Sequence, residues 1–402
     1  MEVSFRVNSS FTAGVVAGCA LGAAVVGHVA GKVDLGVLCP AVVGGCTAGR
    51  KKQTRSADVV KTECPVFVQE SKQCDEGKGV EEERANEVDA FWFTEGLTEV
   101  FRVHLAMKSI LFDARSDFQR VQVIETEQFG RTLVMDGQTQ SAKADEHIYH
   151  ESLVHPAMLL HENPKSVFIG GGGEFATARE ILRHKSVEKC VMVDIDKVAC
   201  DICREQLPEW NDGAYEDPRF SIEYTDAKKW LEDTEEKFDV IIMDICDPIE
   251  AGPGYKLYTS EFYNFLHSRL NPGGIFVTQS GPGAVYNAQN ECFTVIHNTL
   301  QTAFDVVIPY SVDIPSFGCN WGFNLGFRSS SPEAAKQNVL DSNIEEFNAQ
   351  IEKRIMGGSC TLKFLDGLAF RGIVGIPKEI RQQCIDEDRV MTIDNPVFMY
   401  SG

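Results

Sequence analysis

Acidic side chains follow several predicted strands in the middle of the chain, and the first of them lies directly after a run of glycines. Residues 167–180 read as an apolar strand, four consecutive glycines and a helix that begins near Glu174. A strand, a tight glycine turn and a helix N-terminus together form a cradle for a nucleotide or nucleoside. Because the carboxylate of Glu174 would repel a phosphate or a carboxylate, we expect a ligand that is positively charged near this point.

The following predicted strands also end in acids. Asp194 and Asp196 end the second strand, about 20 residues past the glycines, where a carboxylate normally binds ribose hydroxyls. Asp226 ends the third, and Asp244 and Asp247 follow the fourth. One such acid alone is typical of a helix N-cap or a turn. Because ligands of doubly wound sheets lie outside the carboxyl ends of the strands, the whole set predicts a binding site.

The residue types narrow the ligand. Asp194 suits a ribose and Asp226 suits an adenine amino group, so a nucleoside is indicated. A pyrophosphate, or the carboxylate of ordinary S-adenosylmethionine, would be repelled by Glu174. Decarboxylated S-adenosylmethionine, which carries a sulfonium and a free aminopropyl ammonium, would be attracted by every one of these acids. That compound donates an aminopropyl group to an amine.

Apolar strands that alternate with helices must position these acids. The pattern predicts an α/β fold, with a Rossmann-like, methyltransferase-type doubly wound sheet over residues 148–330. Alternating residues with turns at 129–130 and 136–137 predict a small antiparallel β domain over 91–147. Residues 331–402 read as a C-terminal extension without recognisable chemistry.

The N-terminal part of the chain has a different composition. Residues 1–50 are rich in Gly and Ala, and 11–31 are long and apolar enough for a membrane anchor. A basic cluster at 50–55 resembles a cytoplasmic flank. A cleaved targeting segment or a weakly ordered tail would explain the same composition. Residues 51–90 read as a polar linker.

Overall composition excludes some classes of function. The chain has 402 residues, with 59 acidic against 38 basic side chains and a formal net charge of -21. Nucleic-acid binding, which needs basic surface, is disfavoured, and a cationic substrate is favoured. Of the 13 cysteines, Cys200 and Cys203 form a C-x-x-C pair inside a predicted helix, without a second pair at zinc spacing. We interpret them as buried thiols in a reducing, cytoplasmic compartment.

Five short motifs resemble the signature blocks of the spermidine synthase family of polyamine aminopropyltransferases: "GGGGE", "VDID", "TDA", "DICDP" and "YKLYTSEFY". The similarity runs from about residue 91 to the C-terminal end. Glutamate in the glycine loop, "DICDPIEAGPGYKLY" and "IPSFGCNWGF" are similar to the thermospermine branch of the family. The resemblance implies decarboxylated S-adenosylmethionine as donor, spermidine as acceptor, thermospermine and methylthioadenosine as products, and a homodimer or higher homo-oligomer.

The resemblance also implies a role for particular residues. Asp244 would accept the proton of the attacking amine, and Glu174 would engage the aminopropyl ammonium of the donor. The other donor contacts would be Gln119, His150, Asp194, Asp226 and Ala227. The polyamine contacts would be Gln140, Tyr149 and Asp247. No metal is required, because the sulfonium is already a good leaving group.

Other interpretations stay open at this point. An S-adenosylmethionine-dependent methyltransferase would need a positive partner for the donor carboxylate. A silent polyamine-binding protein would have no need of a proton acceptor. Within the family, a spermidine synthase would use putrescine as acceptor, and a spermine synthase would use the other amine of spermidine. Phe175 follows the acid where the family commonly has glycine, and we expect it to narrow the donor pocket or to point into the helix–sheet interface.

Overall fold

The computed structural model describes residues 91–399, apart from 98–100, 251–252, 287 and 290–291. The predicted N-terminal segment 1–50, with its candidate span 11–31, and the linker 51–90 lie outside the described residues. Within the described part, every helix is too short or too polar to cross a bilayer.

The described chain begins with a five-stranded antiparallel sheet whose strands follow one another in sequence order. The strands are β1 (Phe91–Gly96), β2 (Arg102–Arg115), β3 (Arg120–Thr126), β4 (Gly130–Met135) and β5 (Gln138–Ala142). The predicted turn at 136–137 joins β4 to β5, and both of its residues have positive φ, 49° at Asp136 and 87° at Gly137. This is the conformation of a tight hairpin turn, and it explains the Asp-Gly pair. The sequence reading did not foresee β1 and β2.

A seven-stranded mixed sheet follows, in the order β11-β12-β10-β9-β6-β7-β8. Its strands are β6 (Ser166–Gly171), β7 (Lys189–Asp194), β8 (Phe220–Tyr224), β9 (Phe238–Asp244), β10 (Leu270–Pro282), β11 (Val306–Ile314) and β12 (Cys319–Phe327). The predicted parallel strands β6 to β10 are parallel. The hairpin β11–β12 adds two strands in which β12 runs antiparallel to β10. The chain passes from β6 to β7 and β8 on one side and to β9 and β10 on the other, so β6 and β9 flank the switch point where such folds bind ligands.

Helices cover both faces of this sheet and continue into the C-terminal extension. They are α1 (Glu146–Leu160), α2 (Ala176–Leu182), α3 (Lys197–Gln206), α4 (Pro208–Asn211), α5 (Ala227–Asp233), α6 (Ser260–Arg269), α7 (Phe293–Gln301), α8 (Pro332–Leu340), α9 (Ile344–Arg354), α10 (Gly367–Val374) and α11 (Lys378–Asp386). Alternate residues of β6 enter two different apolar clusters, Val167 and Ile169 on one face and Phe168 on the other. All three are fully buried, which explains the uninterrupted apolar run.

The C-terminal extension is helical and is attached to α1. The buried carboxylate of Glu151 on α1 accepts backbone N–H groups of Lys363, Phe364 and Leu365 at 2.8, 2.9 and 2.8 Å. The C-x-x-C pair lies within α3, where both thiols are buried. Burial raises the pKa of Cys200 and of Cys203, so neither forms a thiolate near neutral pH.

Candidate active site

A cavity of about 380 Å³ opens at the carboxyl ends of β6, β7 and β9, between the large sheet and the small one. Most of the predicted site residues line it: Gln119, Gln140, Tyr149, Glu174, Asp194, Asp226, Ala227, Asp244 and Asp247. The predicted contact residue that does not line the cavity is His150, which lies behind Glu174. The structure therefore brings together acids from four strand ends, as the strand order predicted.

The glycine loop brings β6 close to the end of β9. Gly171 and Gly172 have φ of 80° and 78°, a region that only glycine adopts readily. The N–H of Gly172 donates to the carbonyl of Asp244 at 2.8 Å. A Cβ at Gly171 would collide with that carbonyl, so the glycine is needed for the close approach of the two strands.

Asp244 ends β9, and each of its carboxylate oxygens accepts a hydrogen bond from a hydroxyl. The Tyr149 hydroxyl donates to Oδ1 at 2.7 Å, and the Thr177 hydroxyl donates to Oδ2 at 2.5 Å. Burial, reinforced by the adjacent negative charge, raises the pKa of Tyr149 well above its usual range. The phenol therefore stays protonated and donates a hydrogen bond to Asp244. The carboxylate is thereby fixed in orientation by two neutral donors.

Glu174 follows the glycines, and its carboxylate is also held at both oxygens. The Ser141 hydroxyl donates to Oε2 at 2.8 Å, and Nε2 of His150 lies 2.5 Å from Oε1. His150 is fully buried between Glu174 and Glu146, whose Oε2 lies 2.8 Å from its Nδ1. Burial disfavours the imidazolium, but the two carboxylates outweigh it and raise the pKa of His150 to about 10. Glu146 is paired in turn with Arg179 at 2.8 Å.

The end of the cavity next to β7 is lined by acids that follow β7 and β8. Asp194 accepts the N–H of Asp196 at 2.8 Å, and burial, more than the nearby acids, raises its pKa to about 6. Asp226 is the N-cap of α5 and accepts the N–H of Lys229 at 3.0 Å. The N-cap interpretation of Asp226 is thus right, and the same residue also lines the cavity.

Gln119 connects the small sheet to this end of the cavity. Its Nε2 donates to Oδ2 of Asp196 at 3.0 Å, and the Ser116 hydroxyl donates to the same oxygen at 2.6 Å. Asp196 is buried and caps α3 by accepting the N–H of Ala199 at 3.0 Å. Asp196 therefore positions Gln119 and the segment before β3, and does not itself line the cavity.

The opposite end of the cavity combines acids with aromatic rings. Gln279, buried on β10, donates to Oδ1 of Asp247 at 2.9 Å and accepts the indole N–H of Trp321 at 3.1 Å. Trp321 and Phe317 belong to the hydrophobic core and also line the cavity. These two aromatics therefore combine a structural role with contact to the cavity.

Comparisons with known proteins place the chain in a family. Residues 91–143 match the spermidine synthase tetramerisation domain, and 146–337 match the spermine/spermidine synthase domain. Thermospermine synthase ACAULIS5 of Arabidopsis thaliana is 39% identical over 317 residues, covering 79% of this chain and 89% of that protein. The polyamine aminopropyltransferase of Aeropyrum pernix is 40% identical over 309 residues, covering 77% and 95%.

The chain belongs to the spermine/spermidine synthase family. This confirms the resemblance and the Rossmann-like fold, and it sets aside the methyltransferase interpretation. Among solved structures, spermidine synthase in complex with the transition-state analogue AdoDATO is similar with a TM-score of 0.66 and 25% identity, covering 75% of this chain and 97% of that one. Spermidine synthase from Thermotoga maritima gives a TM-score of 0.64 at 25% identity.

Phe175 departs from the family pattern without entering the cavity. Its φ is 70°, the left-handed conformation that explains why glycine is common at this position. The ring is fully buried and packs against Tyr215 and Phe220, with centroids 5.6 and 6.2 Å away. The side chain thus points into the helix–sheet interface, and burial of a large ring offsets the backbone strain.

Glu95 on β1 is a cavity residue of this synthase-like fold that sequence reasoning missed. It is 7% exposed and accepts the N–H of Thr139 at 3.2 Å. Burial foremost, with a contribution from the charge of Asp247, raises the pKa of Glu95 to about 7. An isolated acid among the aromatics of "FWFTEG" was the available signal, because an acid in an apolar strand needs a partner.

Proposed function

We propose that this chain transfers the aminopropyl group of decarboxylated S-adenosylmethionine to spermidine, giving thermospermine and methylthioadenosine. The observation that carries the proposal is the arrangement of acids around one cavity: Asp194 at the nucleoside end, and Glu174, Asp244 and Asp247 towards the other end. The similarity to thermospermine synthase ACAULIS5 supports the choice of acceptor and product.

The donor would occupy the end of the cavity next to β7. Asp194 would accept the ribose hydroxyls, while Asp226 and Ala227 would contact the adenine, with Gln119 on the side of the small sheet. Glu174 would face the aminopropyl ammonium. His150, which contacts Glu174 and not the cavity, would act on the donor through that carboxylate. AdoDATO bound to the similar spermidine synthase supports a donor of this chemical class.

Asp244 would accept the proton that the attacking ammonium must lose before its nitrogen can act as a nucleophile. The nitrogen lone pair then attacks the methylene carbon beside the sulfonium. A carbon–nitrogen bond forms, the carbon–sulfur bond breaks, and its electron pair leaves with the sulfur of methylthioadenosine. Holding both reactants in one cavity supplies much of the acceleration, because a bimolecular encounter becomes an intramolecular one.

The rest of the polyamine would lie along the acids and rings beyond Asp244. Asp247, Gln140 and Tyr149 are the predicted contacts, and Glu95 is a further carboxylate at this end. An ammonium next to Glu95 would favour its ionised form and so lower a pKa that burial has raised to about 7. Trp321 and Phe317 would contact the methylene segments.

Product analysis tests the proposal directly. The protein is incubated with decarboxylated S-adenosylmethionine and either putrescine or spermidine, and the products are separated by chromatography that resolves thermospermine from spermine. Thermospermine from spermidine is the expected result. Spermine from spermidine, or spermidine from putrescine, would keep the chemistry and replace the acceptor or product. Absence of transfer to either amine would overturn the proposal and revive the silent polyamine-binding interpretation.

Assembly into a homo-oligomer is supported by the match of 91–143 to a tetramerisation domain. On β1 and β2 this segment exposes large apolar side chains, with Phe91, Trp92 and Ile110 exposed by 74%, 58% and 52%. Burial of such side chains between subunits would be favourable. Light scattering on the purified protein should give a mass of at least two chains, and the mass of one chain would contradict the proposal.

The division of the chain is also a proposal: a small β domain over 91–147, a catalytic domain over 148–330 and a C-terminal extension over 331–402. We further propose a cytoplasmic catalytic part and a separate role for residues 1–50 as anchor or targeting segment. Deleting the first 61 residues should leave the specific activity unchanged. Loss of the protein from a membrane fraction on deletion would support the anchor, whereas misfolding would assign the segment to the fold.

A further inference from the structure

Thr177 is a buried residue of α2 that contacts the predicted proton acceptor. It is 0% exposed, and its hydroxyl donates to Oδ2 of Asp244 at 2.5 Å. The other oxygen of Asp244 accepts the Tyr149 hydroxyl at 2.7 Å. Thr177 does not line the cavity, so any effect on the reaction must pass through Asp244.

We propose that Thr177 is a positioning residue that orients the carboxylate of Asp244 before the amine arrives. The inference rests on the proposed function, in which Asp244 accepts the proton of the attacking amine. One hydroxyl donor on each oxygen fixes the plane of the carboxylate, and a proton acceptor must lie in hydrogen-bond reach of the attacking nitrogen.

The glycine loop lies next to this contact. Gly172 has φ of 78°, and a Cβ there would lie 3.4 Å from Oδ2 of Asp244 and 3.8 Å from Cβ of Thr177. These are ordinary contact distances, so the positive φ, and not crowding of Asp244 or Thr177, favours glycine at this position. The backbone bond from the Gly172 N–H to the Asp244 carbonyl, at 2.8 Å, fixes the same two segments relative to each other. This bond holds the loop that leads into α2, the helix of Thr177, close to the end of β9.

The choice of a neutral donor suits a group that must change its charge. A carboxylate has about four lone-pair sites, so two hydroxyl donors leave two for the proton of the amine. A cation at the position of Thr177 would form a salt bridge and oppose protonation of Asp244 during the reaction. A hydroxyl orients the carboxylate at a smaller cost to its basicity, because hydrogen bonds from charged donors are about twice as strong.

The test compares Thr177→Val, which keeps the branched shape and removes the hydroxyl, with Thr177→Ser, which restores the hydroxyl. We expect Thr177→Val to lower kcat about tenfold, because a proton acceptor that is poorly oriented loses part of its effect. The donor KM should stay within about twofold, because Thr177 lies outside the cavity. Thr177→Ser should regain most of kcat.

Thr299→Val is the matched control. Thr299 is equally buried, on α7, and its hydroxyl donates to the carbonyl of Val295 at 2.6 Å, away from the cavity. It should lower the unfolding temperature and leave kcat close to that of the wild type. A Thr177→Val variant with the kcat of the wild type, or a Thr177→Ser variant that behaves like valine, would overturn the proposal. Absence of aminopropyl transfer by the unmodified protein would instead overturn the proposed function, on which the role of Thr177 rests.

Discussion

Asp244 and Glu174 are two carboxylates of one cavity, but the side chains that hold them differ in charge. Asp244 accepts hydrogen bonds from two neutral hydroxyls. Glu174 accepts one hydroxyl and faces the imidazole of His150, whose pKa the flanking carboxylates raise to about 10 in spite of burial. At neutral pH Glu174 therefore has a cation behind it, whereas the partners of Asp244 among the described residues are neutral hydroxyls.

The difference matches what each acid is proposed to do. A proton acceptor must change its charge in every turnover, so neutral donors that only orient it are suitable. A carboxylate that engages an ammonium should keep its charge, and a buried cation behind it favours this. The cation is itself held by Glu146, which Arg179 pairs with at 2.8 Å. Negative and positive side chains thus alternate from Glu174 to Arg179, so that each buried charge has a partner of opposite sign.

Asp244→Asn should have the largest effect. An amide cannot accept the proton of the amine, so we expect kcat to fall by about 10² to 10⁴. The affinity for methylthioadenosine, measured by titration calorimetry, should be largely retained, because the nucleoside contacts lie at the other end of the cavity. A variant that keeps kcat within about tenfold of the wild type would remove Asp244 from the role of proton acceptor.

Glu174→Gln should have the next largest effect, and on a different parameter. Loss of the charge that faces the aminopropyl ammonium should raise the donor KM about 10- to 100-fold, with a smaller change in kcat. Methylthioadenosine lacks the aminopropyl group, so its affinity provides the internal control and should change little. An equal loss for both ligands would indicate a general defect of the pocket and contradict the assignment of Glu174 to the ammonium.

His150→Gln makes the two carboxylates alike by replacing the cation with a neutral amide. We expect a donor KM increase of about fivefold, because Glu174 loses the positive charge that lies beside it. The pKa of His150 is raised from 6.5 to about 10, so its contribution to stability is fully present below pH 6.5 and is lost as the pH rises towards 10. Each unit of that shift corresponds to about 1.4 kcal/mol.

Denaturant unfolding between pH 7 and pH 10 measures this contribution. The free energy of unfolding of the wild type should fall with pH more steeply than that of His150→Gln. Parallel curves for the two proteins would show that His150 is not protonated in the folded state. His155→Gln is a useful comparison variant, because His155 is equally buried but contacts Glu180 and His184, away from the cavity.

The sequence predicted the acids of the cavity better than the residues that hold them. Glu174, Asp194 and Asp244 were foreseen because the carboxyl ends of parallel strands meet at one edge of a sheet. The donors to Asp244 come from 95 and 67 residues away, at Tyr149 and Thr177. No local pattern distinguishes a threonine that donates to such an acid from any other threonine in a helix.

His150 shows the limit most clearly. The family resemblance implied a donor contact, but the side chain is fully buried and contacts Glu174 without lining the cavity. The N-terminal sheet shows another limit, since β1 and β2 were not foreseen. Their apolar residues Phe91, Trp92 and Ile110 are exposed in the single chain, so the pattern of one buried face is weak there.

Asp194 extends the comparison to a third carboxylate and should give the smallest effect near neutral pH. Its contacts are backbone N–H groups without a cation, and burial raises its pKa to about 6. Below pH 6 Asp194 becomes protonated and loses part of its capacity to accept hydrogen bonds from the ribose hydroxyls. The donor KM should therefore rise as the pH falls, by up to about tenfold per pH unit. Asp194→Asn should raise the donor KM at neutral pH and flatten this dependence. A wild-type donor KM that is constant between pH 5 and pH 7 would mean that Asp194 is ionised throughout this range. The lack of a neighbouring cation would then not separate the behaviour of Asp194 from that of Glu174.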